Sequence, residues 1–311
     1  MVKCNWKSES IRLHTEGNSY HEIAAALNKK YHTVYRHISR HAPPSITPAQ
    51  VSPVVPPIKH KLPTIFVIGD TQVKQGISLD YIHWVSKYIA YKKPDIIVMI
   101  GDWYDMQSLS SYDKGQLSAE GRRVKADIDA GDAALEILES YIKDVPNYNP
   151  RKVVTLGNHE DRIDRFVSSH PEFHGFIGTD KLAFSKYGWE VYPFLTPASI
   201  CGINFVHFVQ NNMNGKPQGG NVANILKYTG ESFVMGHKQV LEHTLRYLPM
   251  SGKAQIGIIV GACYEHSESY KGVQGNHHFR GCVMLYECQE GSAMFKAISL
   301  NHMKTLYEAT G

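Results

Sequence analysis

The chain has 311 residues, 42% of them hydrophobic, and a net charge of +4 from 33 Lys/Arg and 29 Asp/Glu. That length and apolar content suit one large domain with a real core plus a small one. No run approaches the ~18 uninterrupted apolar residues of a membrane span, and the opening "MVKCNWKSES" has no apolar signal core, so a cytoplasmic protein with no membrane partner is expected.

Five cysteines (Cys4, Cys201, Cys263, Cys282, Cys288) form no CxxC pair and are odd in number. This argues against a disulfide framework or a cysteine zinc site, and for reduced, mostly buried thiols. The charge is uneven. Residues 1–63 hold nine Lys/Arg and three acids, a net +6, while the remainder carries −2. A polyanion would be drawn to the N-terminal end.

Residues 1–41 read as a small all-α unit. Gly17-Asn18 marks a turn, and Ser19 with Glu22 has capping-box spacing, so a helix starts there with Ile23, Ala24 and Leu27 as its apolar stripe. Asn28-Lys29-Lys30 breaks the pattern, and Val34 with Ile38 makes a second stripe. Two short helices joined by a tight turn, the second polar and basic outside, resemble a helix-turn-helix DNA-binding module. That resemblance implies that Thr33, Arg36, His37 and Arg40 contact DNA, and it suggests a homodimer. A helical unit for protein contacts is the plainer alternative. Residues 42–63 hold seven of the 15 prolines. Proline suits neither a helix interior nor a central strand, so this is an extended linker of ~60 Å, or a strap lying on the larger domain.

From residue 64 to 311 strands and helices alternate: "TIFVI" (64–68), a helix over 78–93, "DIIVMI" (95–100), a long helix over 118–144, and "KVVTL" (152–156). Shorter β-rich runs follow, "INFVHF", "SFVMG", "IGIIVGA" and "CVMLYEC". The class is α/β, with helices flanking sheets.

Five strands carry polar groups at or near their C-terminal ends, where α/β sheets collect ligands. In order these are Asp70 and Gln72, Asp102 and Asp105, Asn158 and His159, His207, and His237 and Gln239. Each alone is a weak signal, but their order and strand context together are specific. The set, above all "GDWYD" and "GNHED", resembles the calcineurin-like metallophosphoesterases over about residues 64–300. "SLSSYDKGQLSAEGRR" and "GNHEDRID" look like a phage-encoded branch, which implies a host cytoplasm. The resemblance implies a four-layer fold, a central β-sandwich flanked by helices, holding two divalent metals. By position Asp102 bridges both metals. Asp70, Gln72 and Gln239 fall on the first, and Asn158, His207 and His237 on the second. His159 matches the catalytic histidine and Asp105 the carboxylate that orients it. Glu160 is read as a helix-starting acid rather than a ligand.

Two cations about 3.5–4 Å apart offset the charge of a phosphate ester and lower the pKa of water. The chain departs from the family at Gln72 and Gln239, where histidine is usual. Amide oxygen is harder and weaker than imidazole, so the first position is expected to prefer Mn²⁺ or Mg²⁺ (Ni²⁺, Fe²⁺ or Zn²⁺ being alternatives), to fill weakly, or to stay empty. Arg162 follows the metal motif and contacts either substrate phosphate or a surface acid. "GNHHFRG" (275–281) reads as a solvated loop or a pocket border, and "NNMNGKPQGG" (211–220) as a mobile loop. The expected function is hydrolysis of phosphate esters of nucleic acid or nucleotides. A phosphoprotein or small-molecule phosphomonoesterase is one alternative, and a DNA-binding regulator with a weakened phosphoesterase scaffold is another.

Overall fold

A computed structural model describes residues 5–41, 61–268 and 271–309. The chain divides into two compact units, Met1–Lys61 and Leu62–Gly311. Most of the proline-rich segment, residues 42–60, lies outside the described residues, as does Cys4.

The first unit holds α1 (Trp6–Thr15), α2 (Tyr20–Ala26) and α3 (Tyr31–His41). The capping box before α2 forms: the Ser19 N–H donates to the Glu22 carboxylate (2.8 Å), and the Glu22 N–H donates to Ser19 Oγ (3.3 Å). Periodicity does not announce α1, because "WKSESIRLHT" has little apolar stripe. Its support is local: Asn5 caps its start, accepting from the Lys7 N–H, and Arg12 bridges Glu9 (2.6 Å) and Glu16. Ile23, Ala24, Val34 and Ile38 form a small buried core, with Leu13, Tyr20 and Leu27 against it.

The second unit is α/β with two mixed sheets. The first is built from β1 (Ile65–Ile68), β2 (Ile96–Met99), β3 (Arg151–Thr155), β4 (Glu190–Tyr192), β10 (Gly281–Gln289) and β11 (Ser292–Ser299), in the order β11-β10-β1-β2-β3-β4. Strands β1 to β4 run parallel, while β10 pairs antiparallel with β1 and β11. The second sheet holds β5 (Ala198–Ile200), β6 (Ile203–Val206), β7 (Phe233–Met235), β8 (Glu242–Tyr247) and β9 (Ala254–Ile259), in the order β5-β6-β7-β9-β8, with β6, β7 and β9 parallel. Helices α4 (Asp80–Lys92), α5 (Val124–Lys143), α6 (Asp161–Ser169), α7 (Val222–Thr229), the four-residue α8 (Gly272–Gly275) and α9 (Leu300–Ala309) complete it.

Alternation along β1 shows how the layers stack. Ile65 and Val67 pack with Phe205, Val234 and Ile258 of the second sheet. Phe66 and Ile68 pack oppositely with Tyr81, Val85 and Ile89 of α4 and Leu135 of α5. On the far side of the second sheet, Phe233 and Ile259 meet Ile225 and Leu226 of α7. The long helix begins at Val124 rather than 118. Gly121 takes φ +76° and interrupts it, leaving only a short 3₁₀ turn at Leu117–Ala119. Among the described residues no helix is long and apolar enough to cross a membrane.

With so few buried side chains, the first unit has little reserve. Ile38→Ala should cost it about 2–5 kcal/mol. Limited proteolysis of the full chain should then cut within residues 6–41 and spare the 62–311 body; unchanged resistance of the first unit would contradict this packing.

Candidate metal centre

The polar residues chosen from sequence follow β1, β2, β3, β6 and β7, all at C-terminal strand ends. Asp70, Gln72, Asp102, His207 and Gln239 are buried, and Asn158 and His237 partly so. The backbone is contorted to bring them inward. Gln72 (φ +45°), Asp102 (+52°), His237 (+65°) and Gln239 (+57°) all take the left-handed conformation, which costs a non-glycine residue roughly 1–2 kcal/mol. Close approach demands glycine nearby: a Cβ on Gly157 would overlap the Asp102 carboxylate, and one on Gly236 that of Asp70.

One set of donors is complete. Asp102 Oδ2 lies 3.3 Å from His207 Nε2. Asn158 Oδ1 lies 2.9 Å from the same nitrogen and 2.8 Å from His237 Nδ1. Ligating atoms of Asp102, His207 and His237 fall within 4.8 Å of one another. His207 Nδ1 sits 2.8 Å from the Ile100 carbonyl, which can only accept. That fixes the proton on Nδ1 and aims the Nε2 lone pair at the shared point, as metal-ligating histidines require. A second set is partial. Asp70 Oδ2 and Gln72 Oε1 are buried with no hydrogen-bond partner among the described residues. Unsatisfied buried oxygens cost about 1–3 kcal/mol each, and a cation satisfies both at once, so the residues fit a metal. Gln239 differs from Gln72. Its Oε1 accepts from the Tyr264 hydroxyl (2.8 Å) and from Lys271 Nζ.

Charge is crowded here. Burial opposes ionisation of Asp102, yet His159 and His207 hold its carboxyl well below the usual range. Burial, with the Asp102 charge adding to it, lifts Asp70 to about 6. For His207 burial opposes protonation, but Asp102 and Asp70 push it up to about 9. His237, desolvated beside His207, falls to about 4. A metal ion bound there would displace the Nε2 proton and take over that positive charge.

His159 stands at the edge. Its N–H donates to Asp102 Oδ1 (3.0 Å), its Nδ1 donates to Asp105 Oδ1 (2.8 Å), and its Nε2 lies 3.6 Å from Asp102 Oδ2. Lys74 Nζ holds Asp105 Oδ2 (3.2 Å) and Glu268 (2.5 Å). Arg162 is partly buried and pairs with no surface acid among the described residues: its Nη1 donates to the Asp105 carbonyl (2.8 Å) and lies 3.6 Å from Asp105 Oδ1, and its Nη2 lies 3.2 Å from His159 Nε2. The sequence profile of the calcineurin-like phosphoesterases matches residues 63–279.

The chain belongs to this family. As a calcineurin-like phosphoesterase it is a metal-dependent hydrolase of phosphate esters. One solved crystal structure is similar over 76% of this chain and 100% of that chain, at 14% identity and a TM-score of 0.30. No curated protein matches the chain.

In this phosphoesterase Glu160 stands at the start of α6, as expected, but its side chain serves another purpose. It is fully buried and makes no side-chain cap to α6. Instead its Oε2 accepts from the N–H groups of Asp102 (3.0 Å) and Gly157 (2.8 Å), and its Oε1 from Tyr104 (2.9 Å). It ties the loops after β2 and β3 together. The only signal was its place after Asn-His. Lys74, Tyr264, Glu268 and Lys271 stand in no motif and were missed. Arg280, within the run read as a loop or pocket border, donates to the carbonyls of Tyr264 (3.3 Å) and His266 (3.0 Å). The 211–220 loop closes on itself through the Asn211 N–H to the Lys216 carbonyl (2.8 Å).

Glu160→Gln leaves an amide NH₂ facing backbone donors. It should lower stability by about 1–3 kcal/mol and weaken metal binding roughly 10–100-fold, measured by denaturant unfolding and calorimetric titration. Metal affinity equal to wild type would show that Glu160 does not shape the centre.

Proposed function

We propose that this phosphoesterase uses two divalent ions of unequal affinity, Mn²⁺ first among them, to hydrolyse phosphate esters of nucleic acid or nucleotides. The observation that carries the metal reading is the pair of buried oxygens on Asp70 and Gln72, without a hydrogen-bond partner among the described residues, beside the finished set of Asp102, Asn158, His207 and His237. Asp70 and Gln72 would serve the first ion, Asp102 both, and Asn158, His207 and His237 the second. Bound ions supply charge against the anionic reactants and lower the pKa of water. A four-layer fold is supported by the three apolar clusters that separate helices, sheet, sheet and α7.

His159 handles the proton. Asp105, held at about 2 because His159, Lys74 and Arg162 outweigh its burial, stays ionised and fixes the ring through Nδ1. Burial works against an imidazolium at His159, but Asp102 and Asp105 raise its pKa. Nε2 thus faces the reacting zone and can deliver a proton to a leaving oxygen. Arg162 donates to that same nitrogen, so the guanidinium and a proton cannot hold it together. Protonation of His159 would release the Arg162 Nη2 from this contact and leave it to meet a phosphate oxygen.

The nucleic-acid reading rests on the first unit. Thr33, Arg36 and Arg40 lie exposed on α3, opposite buried Val34 and Ile38. His37 is half-buried, its ring 5.4 Å from Trp6, so it contributes less than the arginines. This is the support for a helix-turn-helix role and for a paired chain; the phage-type runs are the support for action in a host cytoplasm.

A metal-by-substrate matrix tests the reading. DNA or a nucleotide diester should be hydrolysed best with Mn²⁺, and Asp102→Asn should cut the rate at least ~100-fold, about 3 kcal/mol of transition-state stabilisation. Hydrolysis of aryl monophosphate with none of DNA would transfer the reading to a phosphomonoesterase. Separately, Arg36→Ala/Arg40→Ala should weaken DNA binding and lower its salt slope by about 2; an unchanged slope would remove the first unit from the DNA interface.

A further inference from the structure

The two glutamines leave the first metal position short of strong donors, and a lysine stands there. Lys271 Nζ donates to Gln239 Oε1 and lies 3.0 Å from the Tyr264 hydroxyl. The ammonium is 5.7 Å from the centre of the buried Tyr264 ring. The amide is oriented by this contact: lysine has only protons to give, so the oxygen of Gln239 must face it. With Tyr264 and Lys271 both donating, the two lone pairs of that oxygen are taken. Burial disfavours the Lys271 charge, and Asp70 and Glu268 are near enough to counter that. Asp70 is the very acid whose second oxygen has no partner among the described residues.

Building on the metal reading above, we propose that Lys271 is a resident cation of the first metal position, holding Gln239 so that a second ion binds only when the lysine gives the amide up. With the Tyr264 hydroxyl on one lone pair of that oxygen, a divalent ion and the ammonium compete for the other. In the resting centre one divalent ion and Lys271 carry +3 against −2 from Asp70 and Asp102. The remaining positive charge is enough to receive a phosphodiester monoanion. The second ion enters by exchange for lysine, which makes its affinity weak by construction rather than through glutamine chemistry alone.

Titration of the metal-stripped full-length protein with Mn²⁺, followed by calorimetry and electron paramagnetic resonance, tests this without any substrate. Wild type should bind one ion tightly, with a mononuclear signal, and a second at least 100-fold more weakly. Lys271→Met should tighten the second ion at least tenfold and show a spin-coupled pair. Lys271→Gln serves the same end should the methionine variant fail to fold. Lys271→Arg, which keeps the cation, should stay within threefold of wild type. The proposal is overturned if wild type takes two ions of similar affinity, or if both neutral variants leave the second dissociation constant within twofold. Absence of any tight ion in wild type would instead sink the metal centre itself, and the lysine proposal with it.

Discussion

Asp102 has to remain ionised inside the protein, and much of the second unit is arranged around that requirement. Asp70, Asp102 and Glu160 are all buried in one neighbourhood. Two like charges about 4 Å apart repel by roughly 4 kcal/mol even at an effective dielectric of 20. Backbone N–H groups offset part of this: His237 donates to Asp70, His159 to Asp102, and three amides to Glu160. Lys271 and the expected ions supply the rest. An uncharged core could not hold this cluster together, which is why the same features that look costly for folding mark the candidate metal centre.

The chain reads well wherever a local rule carries the information. Apolar runs bounded by glycine marked β1, β2, β3 and β7, because a buried parallel strand needs nothing but its own side chains. The Ser19–Glu22 pair located the start of α2, since a capping box is closed within four residues. Short edge elements were opaque. Strands β4 and β5, of three residues each, owe their existence to the neighbour they pair with and not to their own composition. The polar α1 is stabilised by side-chain bridges that leave no periodic trace.

The site divides along the same line. The residues proposed as ligands were visible because each follows a strand and their order is distinctive. The electrostatic surroundings were not. Gln239 meets Lys271 across 32 residues, and Lys74 meets Glu268 across 194; no spacing rule foretells such pairs. Glu160 was seen but misread, since an acid before a helix ordinarily serves the helix, whereas here both oxygens turn inward to the loop amides. Arg162 shows the converse: neither of its two sequence-level assignments included the histidine three positions earlier.

The left-handed backbone at Gln72, Asp102, His237 and Gln239 carries a consequence for how this protein would change under selection. Glycine relaxes such torsions at little cost, so a thermostability screen blind to turnover would be rewarded for erasing these very positions, trading catalysis for a higher melting point. Hardiness and chemistry compete at the same four peptide units, and a laboratory lineage bred for heat alone would drift toward an inert scaffold.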